Sequence, residues 1–225
     1  MESQRSLLPS IEINPESTPI GSVILMHGLG ANGNDFVPFV QELHLPRALP
    51  LRFVFPHAPV RAVTINNGYV MPAWYDILSL NIDQRADQGG MDESVEQINW
   101  LVDHEIQRGI AADKIILAGF SQGGVIALTT ALRSKHKLAG VMALSTYLPN
   151  AEILVKDVSE ANKHMPIFMA HGTQDPVVPY SMGESAYTIL HRAGLDVSWH
   201  NYSMAHSVCD KEVHDIADWL KKIYS

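Results

Sequence analysis

A serine with glycines two positions away on either side stands in Gly119-Phe120-Ser121-Gln122-Gly123-Gly124. It follows the apolar run 115–118 and precedes the apolar stretch 125–132. That is the setting of a serine raised on a tight strand-to-helix turn, with glycine where a side chain would collide. A serine hydroxyl is a poor nucleophile at neutral pH, so this chemistry needs a base within hydrogen-bonding reach and a third group to orient the base. Two downstream loops offer candidates. His171-Gly172-Thr173-Gln174-Asp175-Pro176 follows the run 166–170, and Ser203-Met204-Ala205-His206 follows the run 197–202. The chain order Ser121, Asp175, His206 is one of the known orders of nucleophile, acid and base.

Each partner has a plainer reading. Asp175-Pro176 is also a common turn dipeptide. The chain has 11 histidines, so any single one is a weak signal. His206 stands out by its place between the last strand-like run and the last helical pattern, whereas His44, His104, His136, His191, His200 and His214 fall inside such elements or at their ends. His171 is the rival base, since it also follows a strand, although its His-Gly pair suits a turn.

Acyl transfer builds negative charge on the carbonyl oxygen, and preorganised donors must meet it. The amide of Gln122 lies at the start of the helix after the serine, where N–H groups are unpaired and the dipole favours an anion. A second amide is expected from Leu29 in His27-Gly28-Leu29-Gly30-Ala31-Asn32-Gly33, where glycine lets the backbone turn and approach closely. Gly28, Gly30 and Gly33 also match the glycine spacing of a dinucleotide loop. That reading wants an acidic residue about 20 positions on, and 45–51 provides none.

The elements that must position these residues are legible as alternation. Short apolar runs at 22–26, 52–55, 114–120, 139–144, 166–170 and 197–202 read as strands, mostly continuous as in a sheet covered on both faces, the last more mixed as at an edge. Helical stripes lie between and after them. Val95, Ile98, Leu101, Val102 and Ile106 share one face of a helix over 91–108, with Glu93, Glu96, Asp103 and Glu105 elsewhere. Val213, Ile216, Ala217, Leu220 and Ile223 share a face over 210–224. Strands alternating with helices predict a mostly parallel sheet between helical layers, with working residues at the carboxyl ends of the strands. The segment 60–90 reads as an insertion within one domain spanning 1–225.

Composition is that of a globular chain: 225 residues, 46% hydrophobic and 18% charged. A net charge of -8 with scattered basic residues disfavours nucleic acid and anionic membrane surfaces. No run is long enough to span a membrane, and the first ten residues carry Glu2, Arg5 and Pro9 where a signal peptide needs an apolar core, so a cytoplasmic location is expected. The lone Cys209 can form no internal disulfide. No cysteine-histidine cluster calls for a metal, and the chemistry needs no cofactor.

Taken together, these residues resemble the carboxylesterase, lysophospholipase and acyl-protein thioesterase family of small α/β-hydrolases, over nearly the whole chain. The resemblance rests on His27-Gly28-Leu29-Gly30, Pro56-His57-Ala58-Pro59, Met71-Pro72-Ala73-Trp74-Tyr75-Asp76, the Ser121 motif, Leu144-Ser145 with Leu148-Pro149, and His171-Gly172 before Asp175-Pro176-Val177-Val178-Pro179. It implies an α/β-hydrolase core without a large cap domain, the triad Ser121, Asp175 and His206, and oxyanion amides at Leu29 and Gln122. It also implies that 60–90 borders an acyl-binding groove. Met71, Trp74, Ile77, Leu78 and Leu80 suit a flexible apolar wall there, and Met71, Trp74, Leu78, Tyr147 and Val177 are the expected substrate-binding residues. Tyr147 is a departure, because relatives often carry tryptophan after the Leu-Ser pair.

The expected activity is cleavage of carboxylic esters or thioesters of small, lipid-like or protein-borne acyl groups. The apolar loops leave a homodimer as an expected partner. A ligand-binding protein that keeps the scaffold without hydrolysis is the alternative, and an intact triad with both oxyanion elements argues against it. For a peptidase no extended cleft is apparent.

Overall fold

The computed structural model describes residues 6–79 and 86–225. The strands are β1 (Ser10–Ile13), β2 (Gly21–Met26), β3 (Leu51–Pro56), β4 (Val60–Val63), β5 (Tyr69–Pro72), β6 (Ile115–Phe120), β7 (Gly140–Leu144), β8 (Ile167–Gly172) and β9 (Val197–Tyr202). Seven of them form one sheet in the order β1-β3-β2-β6-β7-β8-β9. β1 is antiparallel to β3, and the other neighbours run parallel. The six strands expected from the apolar runs are all present, and β9, the mixed one, lies at an edge as expected.

Burial on both faces explains the continuous apolar runs. Ile24, Leu117, Val141 and Met169 point into a core shared with α2 (Gln88–Gln107), α3 (Gln122–Arg133), α4 (Ala151–Leu154) and α5 (Tyr180–Arg192). Their sequence neighbours Leu25, Ala118, Met142 and Phe168 point into the opposite core, with α1 (Val37–Glu42) and α6 (Asp210–Ile223). The architecture is that of an α/β-hydrolase, and no large cap is evident among the described residues.

The 60–90 segment holds structure that the loop reading passed over. β4 and β5 pair as a separate antiparallel hairpin. Its turn contains Asn67-Gly68, both at positive φ (55° and 74°), the backbone that Asn-Gly adopts most readily. Val60, Tyr69 and Val70 leave the hairpin as exposed apolar side chains.

Two helical carboxylates are buried, and one of them, Glu105, was expected off the apolar stripe. Glu105 is buried, where its oxygens meet Arg52 Nη1 at 2.9 Å and Arg108 Nη1 at 2.8 Å. Glu212 in α6 is fully buried, with the backbone of Cys209 as the polar group that opposes the effect of that burial on its carboxyl. Burial pushes its carboxyl up to about 8, with Asp215 acting in the same direction. A folded-state value above the unfolded one means that the contribution to stability is fully present below about 4.5 and is lost as pH rises through about 8. Glu212→Gln is therefore expected to flatten the decline of unfolding free energy between these limits, by at most about 1.4 kcal/mol per pH unit. Urea melts of both proteins across that window check this, and identical slopes would count against it.

Candidate active site

β6 delivers the chain to Ser121 at the carboxyl edge of the sheet, and α3 begins at the next residue. Ser121 has φ 54° and ψ −120°, a strained backbone for a residue with a side chain. Three contacts hold it there: Ser121 N–H donates to Leu144 O (2.8 Å), and its carbonyl accepts Gly124 N–H (3.0 Å) and Thr146 Oγ1 (2.7 Å).

The glycines of the motif are sterically required. A Cβ on Gly119 would meet Gly123 O at 2.2 Å, and one on Gly123 would meet Met26 O at 2.3 Å and His27 O at 2.6 Å. Those are backbone atoms that cannot swing aside. Gly123→Ala must therefore push α3 away from the end of β2, and we expect it to destabilise the fold by about 1–3 kcal/mol and to lower kcat by displacing Leu29 and Ser121 together. Denaturant melts and ester turnover on the same preparation check this; wild-type values for both would contradict it.

Asp175 and His206 meet at the ends of β8 and β9. His206 Nδ1 lies 2.7 Å from Asp175 Oδ2. The other oxygen, Oδ1, accepts the amides of Val177 (2.8 Å) and Val178 (2.9 Å). The Asp175 side chain is fully buried, while His206 keeps 16% of its side-chain surface exposed and packs its ring against Phe120 at 4.7 Å between centroids. His171, the rival base, is fully buried. Its Nε2 lies 2.9 Å from Val178 O and 3.4 Å from Asp175 Oδ2, so it braces the loop that carries Asp175. Desolvation lowers its pKa and keeps the ring neutral.

The loop after β2 comes within contact of the serine: a Cβ on Gly28 would lie 3.5 Å from Ser121 Cβ. The flanking amides are engaged, Gly30 N–H with Pro72 O (2.8 Å) and Ala31 N–H with Gly28 O (3.2 Å). Leu29 N–H has no backbone acceptor among the described residues. Buried His27 sets the loop: its Nδ1 lies 2.7 Å from Gly28 O and its Nε2 accepts Ala58 N–H at 3.1 Å. These partners fit one neutral tautomer with the proton on Nδ1, and desolvation lowers the His27 pKa in agreement.

The expected groove residues separate. Trp74 is 0% and Tyr147 2% exposed, which makes them core rather than groove wall. Trp74 ties its own loop to the loop after β2 and to the first residue of α3: its backbone N–H donates to Gln122 Oε1 (2.8 Å) and its Nε1–H to His27 O (2.8 Å), while Gln122 Nε2 donates to Tyr75 O (2.7 Å). Tyr147 Oη lies 2.8 Å from Tyr75 Oη. This bracing role of the Gln122 side chain carries no signal in the sequence. Met71 is half-buried with its Sδ 3.5 Å from the Cβ position of Gly30, Leu78 is exposed, and Leu80 lies outside the described residues.

Ser121, His206, Leu29 and Val177 line one cavity of about 500 Å³. Of the expected groove residues only Val177 does so; the remaining wall comes chiefly from Phe36, Pro38, Phe39, Phe120 and Val208. No described residue of 60–90 lines this cavity; the 36–42 segment, too short to show periodicity, provides much of its wall.

The family described as Phospholipase/Carboxylesterase matches residues 10–224. Acyl-protein thioesterase 1 of Cryptococcus neoformans is 36% identical over 95% of this chain and 96% of its own length. Acyl-protein thioesterase 1 of Neurospora crassa is 40% identical over 88% of this chain and 85% of its own length. Among solved structures, Arabidopsis thaliana SOBER1 superposes with a TM-score of 0.85 at 29% identity, covering 91% of this chain and 99% of that one. Zea mays acyl-protein thioesterase 2 gives 0.86 at 27% identity, covering 96% and 99%. The chain belongs to the phospholipase/carboxylesterase family of α/β-hydrolases, enzymes acting on ester and thioester bonds.

Proposed function

We propose that this protein cleaves carboxylic esters or thioesters through an acyl-enzyme on Ser121. The observation that carries the reading is the 2.7 Å contact of His206 Nδ1 with buried Asp175, in a loop that brings His206 to the same cavity as Ser121. Asp175 accepts a hydrogen bond from Nδ1–H and so holds the proton on that nitrogen, which leaves the lone pair of Nε2 free to take the proton of Ser121 as its Oγ attacks. The amides of Leu29 and Gln122 receive the oxyanion. The imidazolium then protonates the departing alcohol or thiol, and water repeats the sequence on the acyl-enzyme. The reaction needs no metal or organic cofactor.

The relatives' names favour S-acylated protein as one substrate, and the 10–224 match favours lipid-like and simple esters as others. We take the catalytic unit to be one domain. A cytoplasmic site belongs to the same reading: free Cys209 suits a reducing compartment, and no described helix is long and apolar enough to cross a membrane. The test is a series of p-nitrophenyl esters of increasing acyl length beside an S-acylated peptide. We expect turnover of both classes with a burst of p-nitrophenol at high enzyme concentration. Tight binding of these compounds without turnover would instead favour a ligand-binding protein.

A further inference from the structure

The cavity beside Ser121 lies on one particular side of the sheet. Phe36 and Phe39 pack into the core that α1 and α6 cover, and His206 stands on the loop leading to α6. Trp74, Tyr75 and Ile77 belong to the core on the opposite face. In acyl transfer the departing atom must take its proton from the same imidazole that accepted the serine's. The leaving group therefore lies on the His206 side of the reacting carbon, and the acyl chain points away from it. The cavity that His206, Ser207 and Val208 line together with Ser121 is placed to receive the leaving group.

Its wall has a definite chemistry. The rings of Phe36, Phe39 and Phe120 are grouped, with centroids 6.1 Å apart for Phe36–Phe39 and 5.7 Å for Phe36–Phe120. Asp35 and Glu42 also line the cavity, while no lysine or arginine does. The Asp35 carboxylate is held in place by Asn32 N–H at 2.7 Å. Aromatic faces and carboxylates both attract a cation, and together they suit an ammonium group with an apolar body.

Resting on the hydrolase reading above, we propose that this cavity is a leaving-group subsite selective for an alcohol or thiol that carries an ammonium group. Attack by Ser121 forms the serine ester and breaks the bond from the acyl carbon to the departing oxygen or sulfur, which leaves with the proton held by His206. The ammonium charge is unchanged throughout. Water then releases the carboxylic acid.

The test compares butyrylthiocholine with its uncharged isostere, in which a tert-butyl group replaces the trimethylammonium. At low salt kcat/KM is expected to favour the charged thioester by about tenfold. The ratio should fall toward one in Glu42→Gln, in Phe36→Leu and at high salt. A ratio at or below one, or one that neither substitution nor salt alters, would overturn the proposal while leaving the hydrolase reading intact. Failure of both thioesters to turn over would overturn the hydrolase reading and this proposal with it. A second pair, S-butyryl peptides with lysine or norleucine beside the cysteine, identifies the source of the charge. Preference for the lysine peptide extends the ligand to protein amines, and preference within the choline pair alone restricts it to quaternary ammonium.

Discussion

Alanine at position 121 is expected to lower kcat for p-nitrophenyl esters by a factor on the order of 10⁵ and to abolish the burst. The residual rate should reflect binding and the oxyanion amides alone. The fold should survive, because what holds this turn is backbone: Ser121 N–H on Leu144 O, and the Ser121 carbonyl on Gly124 N–H and Thr146 Oγ1. Alanine keeps all three. Stopped-flow kinetics beside a thermal melt separates the two consequences. Wild-type turnover in the variant would remove Ser121 from the mechanism.

Asp175→Asn should cost nearly as much, a factor on the order of 10⁴ in kcat with a far smaller change in KM. Each oxygen of Asp175 has a distinct task. Oδ1 accepts two backbone amides and Oδ2 accepts from His206 Nδ1. An asparagine has one acceptor oxygen. If that oxygen stays on the Val177 and Val178 amides, the new NH₂ faces Nδ1, the ring must carry its proton on Nε2, and the base is lost. If the amide flips instead, the NH₂ faces the N–H donors of Val177 and Val178, the latter buried. Asp175→Ala should add a stability loss by leaving both amides without an acceptor. Steady-state kinetics with denaturant melts of the two variants test this, and an Asn variant with near-wild-type kcat would contradict it.

What the sequence made legible was whatever depends on local order. Strand burial on both faces shows as continuous apolar runs, and the setting of Ser121, Asp175 and His206 at strand ends follows from those runs. The expectations that failed depend on contacts between residues far apart in the chain. An indole in a turn-rich stretch reads the same whether it walls a groove or fills a core; Trp74 is core because Gln122 and His27 take its two N–H groups. Tyr147 is core because its hydroxyl meets Tyr75. Glu105 was placed on a polar face, yet it is ion-paired to Arg52, which lies on a strand that periodicity cannot link to this helix. The β4–β5 hairpin is a different kind of omission, since Asn67-Gly68 was a local signal available in the sequence.

The central claim is that Ser121 carries the acyl group. A fluorophosphonate probe, which phosphonylates an activated serine, followed by proteolysis and mass spectrometry, tests it most directly. We predict one adduct per chain, on the peptide containing Ser121, blocked by ester substrate and absent from Ser121→Ala and strongly slowed in Asp175→Asn. An adduct on a different residue, or undiminished ester hydrolysis by fully labelled protein, would contradict the account.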